Sequence, residues 1–148
     1  MTTAPLAFSL PSPTQDERTN ALLVHVLAIF SGFIAPLIFY IVKRESKFVA
    51  FHSLQVVIWH AVFAVTFFVG MAIAFTVMIL SIATVPHDAS HQAPPLAFFA
   101  AFGSVWLFGM GGWVLNVVLG IVFAIKANKG EWAKYPVIGN FVLHRILA

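Results

Sequence analysis

From Phe48 to His87 the chain runs forty residues without an Asp, Glu, Lys or Arg. In water a helix built from such a stretch would have no charged face to turn to solvent, so the stretch belongs in a bilayer. As one helix rising 1.5 Å per residue it would be about 60 Å long, twice the roughly 30 Å of a hydrocarbon core, and so it is no simple span. Its polar residues are unevenly spread. His52, Ser53, Gln55, Trp59 and His60 all fall in the first third, whereas Ala61 to Thr84 carries only small hydroxyl residues. The expectation is a span over 61–84, preceded over 46–60 by an interfacial helix or a headgroup-level extension of the same helix. The alternative, a hairpin inside 48–87, has Gly70 as its only breaker.

Two further runs lack formal charge: Ala21–Val42, 22 residues, and Leu96–Ile125. Only 9% of the 148 residues are charged and 61% are hydrophobic, too few charges to cover a soluble surface. The reading is an all-α, polytopic transmembrane protein. Three spans, at about 21–42, 61–84 and 96–125, come with an interfacial helix and a short C-terminal interfacial segment. Residues 1–20 form a mobile tail and 21–148 a single membrane domain. Pro36 lies inside the first span, where membrane helices tolerate a kink, and Gly32 one turn earlier eases the bend. Lys43-Arg44-Glu45-Ser46-Lys47 stops that span, and Lys126 and Lys129 stop the third. Val137–Ala148 is too short to cross and lies along the surface.

The eight Lys and Arg sit in short groups between apolar runs rather than along a basic face, which excludes nucleic acid as a partner and fits membrane orientation instead. The segment between the first two spans and the C-terminal tail are basic, while Val85–Pro95 has no Lys or Arg. Positive-inside counting then predicts a bacterial inner (plasma) membrane protein with its N-terminus out and C-terminus in.

Chemistry is sparse. Cysteine is absent, which excludes thiolate nucleophiles and Cys-ligated metals, and the spans hold no Asp or Glu, which weakens proton-coupled transport and intramembrane proteolysis. No catalytic site, metal or cofactor is expected. Among the histidines, the three-span topology puts His25 on the outer side and His52 and His60 on the inner. A pair at matched depth could hold haem, but His25 and His60 start from opposite faces, and His52 and His60, eight apart on one helix, cannot ligate both faces of one haem. His87 and His91 with Asp88 suit a metal only if their proline-flanked loop were helical. Gly112, Asn116, Gly120 and Ala124 recur every four residues, a small-residue stripe for close helix approach, within the chain or at a dimer interface or pore lining.

Phe51-His52-Ser53-Leu54-Gln55 after the basic stop, Pro36 late in the first span, and Gly130-Glu131 with Tyr135-Pro136 after the last span carry a resemblance. The chain resembles small bacterial membrane proteins related to the twenty-kilodalton chloroplast inner-envelope protein-import (Tic translocon) component family. That resemblance implies a part in a translocation or channel assembly, with His52, Gln55, Gly130, Glu131 and Pro136 as a functional cytoplasmic face. The expected function is a non-enzymatic membrane subunit whose partners are the lipid bilayer and either a second copy or another membrane protein. The alternatives are a haem-binding redox anchor and a small transporter for an uncharged or lipid-like substrate.

Overall fold

Thr14 starts the first helix. Its hydroxyl accepts from Glu17 N while the Glu17 carboxylate accepts from Thr14 N at 2.8 Å, so two of the free N-terminal donors are satisfied reciprocally. In a computed structural model, which describes residue 10 and residues 12–84 and 96–147, α1 then runs Gln15–Ser31. It stops at Gly32 (φ 61°, ψ −125°) and Phe33 (φ −82°, ψ −10°). These are the two central residues of a type II′ turn, whose first position needs the positive φ that glycine adopts without strain. The chain reverses and α2, Ile34–Val42, runs back along α1. Ser31 serves both helices: its Oγ donates to Leu27 O at 2.8 Å and accepts from Ala35 N at 3.3 Å.

Contacts at the far end prove the reversal. Lys43 Nζ is 3.8 Å from the Asp16 carboxylate, and Ser46 Oγ donates to Glu17 Oε1 at 2.6 Å. The expected first span is therefore a helical hairpin with both ends at one end of the molecule. Nor does Pro36 kink a helix. It is the third residue of α2, in the first turn, where its missing N–H has no intrahelical acceptor to lose, and it is buried.

The stretch read as a lead-in and a span is one helix, α3, Lys47–Ala83, capped by Ser46 and continuous through Gly70. α4 is Leu96–Asn128, and α5, Gly139–Leu147, is the short C-terminal segment. All five elements are helices, with no strand among the described residues. Two of them, α3 and α4, are long and apolar enough to cross a membrane. At 37 and 33 residues they reach about 55 and 50 Å. The expectation of three spans fails because length and apolarity cannot tell a straight 22-residue helix from a hairpin turned by a single glycine.

α3 and α4 run antiparallel: Trp59 meets Asn116, Phe63 meets Gly112 and Phe67 meets Gly109. The α1–α2 hairpin flanks only the part of this pair nearest the basic residues. There Val24, Ala28, Val49, Val56, Phe123 and Tyr135 form the core, with Phe39 of α2 and Trp59 against it. Beyond Phe63, among the described residues, the two long helices touch each other alone, through stacked Phe63, Phe67 and Phe108, and their remaining faces are apolar and exposed. The molecule is thus a foot of all five helices, with α5 packed on α3 beside Gln55, continued by a stalk of α3 and α4.

Candidate functional site

The foot encloses a polar cluster. α3 carries His52 and Gln55, three residues apart and so on one helix face. Both are fully buried. Opposite them runs an extended segment, Glu131–Tyr135, that follows α4. Gln55 Nε2 donates to Ala133 O at 3.2 Å, and Gln55 Oε1 accepts from Tyr135 N at 2.8 Å. His52 Nε2 lies 3.2 Å from Glu131 O. Residues 131, 133 and 135 alternate as in a β-strand, and two side chains of α3 stand in for the missing neighbouring strand. Segment backbone that would otherwise be buried without partners is thereby satisfied.

The carbonyl at one end of this network sets every proton along it. Glu131 O can only accept, so His52 Nε2 carries the hydrogen and His52 Nδ1 is an acceptor. His25 Nε2, 3.0 Å from that nitrogen, donates to it. His25 Nδ1 then accepts, from the Tyr135 hydroxyl at 3.4 Å. The chain of bonds runs in one direction, Tyr135 to His25 to His52 to Glu131, with both imidazoles neutral. Tyr135 also stacks on Phe123 at 4.1 Å between centroids, and burial pushes its phenol up from the ordinary value. Ser53 Oγ is a buried side-chain oxygen with no partner among the described residues.

The sequence-derived face is only partly a face. His52 and Gln55 are interior, Glu131 enters the cluster through its backbone carbonyl, and Gly130 (φ 81°) makes the turn that delivers the segment, against the Arg18 side chain. Pro136 is exposed just past it, its carbonyl accepting from Ile138 N. His25, expected on the opposite side of the membrane, sits at the centre, because the hairpin brings α1 back to the level of His52. His25 and Tyr135 are the residues that sequence reasoning missed. The aromatic spacing around position 135 was the available signal, but it reads equally well as an interfacial belt.

Two of the histidines are tied into the cluster. Both ring nitrogens of His25 and of His52 are already engaged, and His60 Nδ1 donates to Val56 O of its own helix at 2.9 Å. No group of three or more His, Asp or Glu that could hold a metal gathers among the described residues. His87, Asp88 and His91 lie outside the described residues. In the small-residue stripe, Gly112 meets the Phe63 ring, Gly120 meets Ile29 and the His25 carbonyl, and Ala124 is buried. Asn116 accepts from Trp59 Nε1 and donates to Gly112 O, both at 2.8 Å. The stripe faces α1 and α3 of the same chain.

Residues 16–142, nearly everything from the capping box to α5, match the profile of the magnetosome magnetite crystal formation protein family. The chain belongs to that family. It is also 30% identical over 125 residues to a UPF0132 membrane protein of Methanocaldococcus jannaschii, covering 84% of each chain. No solved structure matches. The resemblance to the chloroplast import component is overturned: the family matched is a magnetosome one, and neither it nor the relative points to protein import. The motifs that suggested it around His52–Gln55 and Gly130–Tyr135 are the two halves of the buried cluster. What holds is an all-helical membrane protein of this family.

Proposed function

We propose that this chain is a non-enzymatic membrane protein that acts by lateral association in a bacterial inner membrane or a membrane derived from it. It would serve the formation of magnetite crystals that gives its family its description. The observation that carries this reading is the division of the molecule's chemistry. The polar side chains His25, His52, Gln55 and Tyr135 are turned inward and bonded to one another and to backbone, which suits a framework rather than a reaction centre. What faces outward along α2, α3 and α4 is apolar, from Ile41 to Phe68 and Leu107. Gly70, Gly103 and Gly111 leave open space on that surface for a close-packed neighbour.

The test is the size of the purified full chain in mild detergent, by native mass measurement and cross-linking in the intact membrane. Oligomers or a co-purifying membrane protein are expected. A strict monomer with no partner by both methods sinks the reading.

In this reading both termini face the cytoplasm. Arg18, Lys43, Arg44, Lys47, Lys126, Lys129 and Lys134 belong to the same end of the molecule, joined by the contacts Asp16–Lys43, Glu17–Ser46 and Arg18–Gly130. Positive-inside bias assigns that end inward. Those contacts argue against an outside N-terminus paired with an inside C-terminus. The chain has no cysteine, so single-Cys labelling is clean. Ser12→Cys and Lys129→Cys should both be shielded from an impermeant reagent added to intact cells, and both should react once the cells are opened. Labelling of either in intact cells overturns the orientation.

A further inference from the structure

The foot and the stalk do not have the same width. α1 and α2 enter beside α3 and α4 from the basic end and turn back at Gly32, whose nearest non-local atom is the His60 ring. His60 is thirteen residues along α3 from Lys47, or about 20 Å, which is near the middle of a bilayer entered at the level of the basic residues. The turn is built for an apolar depth, since Ser31 Oγ supplies an acceptor to Ala35 N, a donor that water would otherwise have to satisfy. From the turn along α2 the hairpin's outer face is lipid-like: Phe30 is 84% exposed and Val42 69%, with Ile34, Ile38 and Ile41 between them, and the exposed polar residues of α1, Gln15, Asp16 and Thr19, lie at the basic end. On the far side of His60, Phe63, Phe67, Phe108 and Gly112 join α3 to α4, with no third helix against them among the described residues.

We infer that the chain is a wedge that senses and favours membrane curvature, taking the acyl chains of one leaflet against its α1–α2 hairpin and leaving the other leaflet to the narrow stalk. The hairpin adds two helices beside α3 and α4 in the half of the bilayer next to the basic residues, with α5 packed on α3 at the same end, and no described helix is added in the opposite half. With helices 10–12 Å across, the excess is about 200 Å² of cross-section in one leaflet. A leaflet widened in this way relaxes by becoming the convex one. The protein therefore fits best in a small vesicle with its basic end on the outer surface. This rests on the membrane reading above, but on the shape of the chain rather than on its association or its orientation in cells.

The experiment uses the full chain carrying Lys129→Cys as its only cysteine, reconstituted in liposomes of one lipid composition extruded to large and to small diameter. A membrane-impermeant maleimide added outside reads the fraction of molecules with the basic end outward. That fraction should rise from near half in large vesicles toward completeness in small ones. Ile38→Lys with Ile41→Lys, which draws α2 out of the hydrocarbon, should abolish the rise while the protein still inserts. Equal labelling at both diameters overturns the inference, and so does a size dependence that survives the double substitution. Phe33→Cys separates the causes: it should resist the reagent from either side, and its labelling from the side opposite Lys129 would mean that the hairpin crosses completely and the wedge does not exist. None of these outcomes depends on which way the protein faces in cells, so the orientation test can fail or succeed separately.

Discussion

His25 and His52 are 27 residues apart in the chain and 3.0 Å apart in space, nitrogen to nitrogen, with neither ring exposed. Their pairing is possible only because α1 and α3 start from the same end of the molecule. It makes the histidine pair the most sensitive reporter of the hairpin. His25→Leu keeps the volume but leaves His52 Nδ1 without a donor in the interior. The expected loss is about 1–3 kcal/mol of stability, read as a lowered Tm by circular dichroism in detergent.

Gln55 holds two backbone groups at once. Gln55→Leu strands Ala133 O and Tyr135 N together, and the loss should reach about 2–5 kcal/mol, larger than for His25→Leu. Hydrogen exchange should rise at Tyr135 N specifically. A Gln55→Leu protein with the wild-type Tm and a protected Tyr135 amide would refute the clasp.

The glycines divide by geometry. Gly32→Ala has room for its methyl, the nearest atom being 3.9 Å away, so its cost is the positive φ alone, about 1–3 kcal/mol. Gly120→Ala has ordinary helical φ but meets Ile29 at 2.8 Å, and overpacking should cost about 1–3 kcal/mol by pushing α1 from α4. Gly70→Ala and Gly111→Ala meet nothing within 4 Å and should be neutral or raise stability by about 0.5–1 kcal/mol through helix propensity. Parallel thermal melts of the four variants check the order.

Two titrations outside the spans give opposite limbs of the pH profile. The Ser46 hydroxyl, followed by Thr14, holds the Glu17 carboxyl below its ordinary value of 4.5. A depressed carboxyl contributes stability that is present above that value and is lost as pH falls through the lower, folded one. Burial holds the Tyr135 phenol above its ordinary value of 10.0, so its contribution is present below pH 10 and is lost as pH rises beyond it. Glu17→Gln should flatten the acid limb of a Tm-against-pH curve, modestly because the group is near the surface, and Tyr135→Phe the alkaline limb.

Much of the architecture could be read from the residues. The charge-free stretches located α3 and α4, the basic group Lys43–Lys47 located the start of α3, and the short apolar tail became α5. What failed was the direction of the chain between Ala21 and Val42. A turn exposed to water announces itself with Asn, Asp or a charge. A turn set among apolar side chains needs only Gly32 and a hydroxyl at Ser31, and that pair, with Pro36 soon after, reads as a kink. The error then spread to the site: with α1 taken as a crossing, His25 fell on the wrong side, and His52 and Gln55 looked like surface residues facing water. Their true partners are backbone groups near residue 133, and no side-chain pattern marks a carbonyl as an acceptor.

The Glu131–Tyr135 segment is made after nearly all of the helices it joins. A chain growing from its N-terminus can form the hairpin and insert both long helices while Gln55 still has neither of its partners and His52 lacks its carbonyl. Closure of the core therefore waits until Glu131–Tyr135 has been made. A product that stops short of Glu131 keeps both long helices but lacks the backbone groups that His52 and Gln55 need as partners.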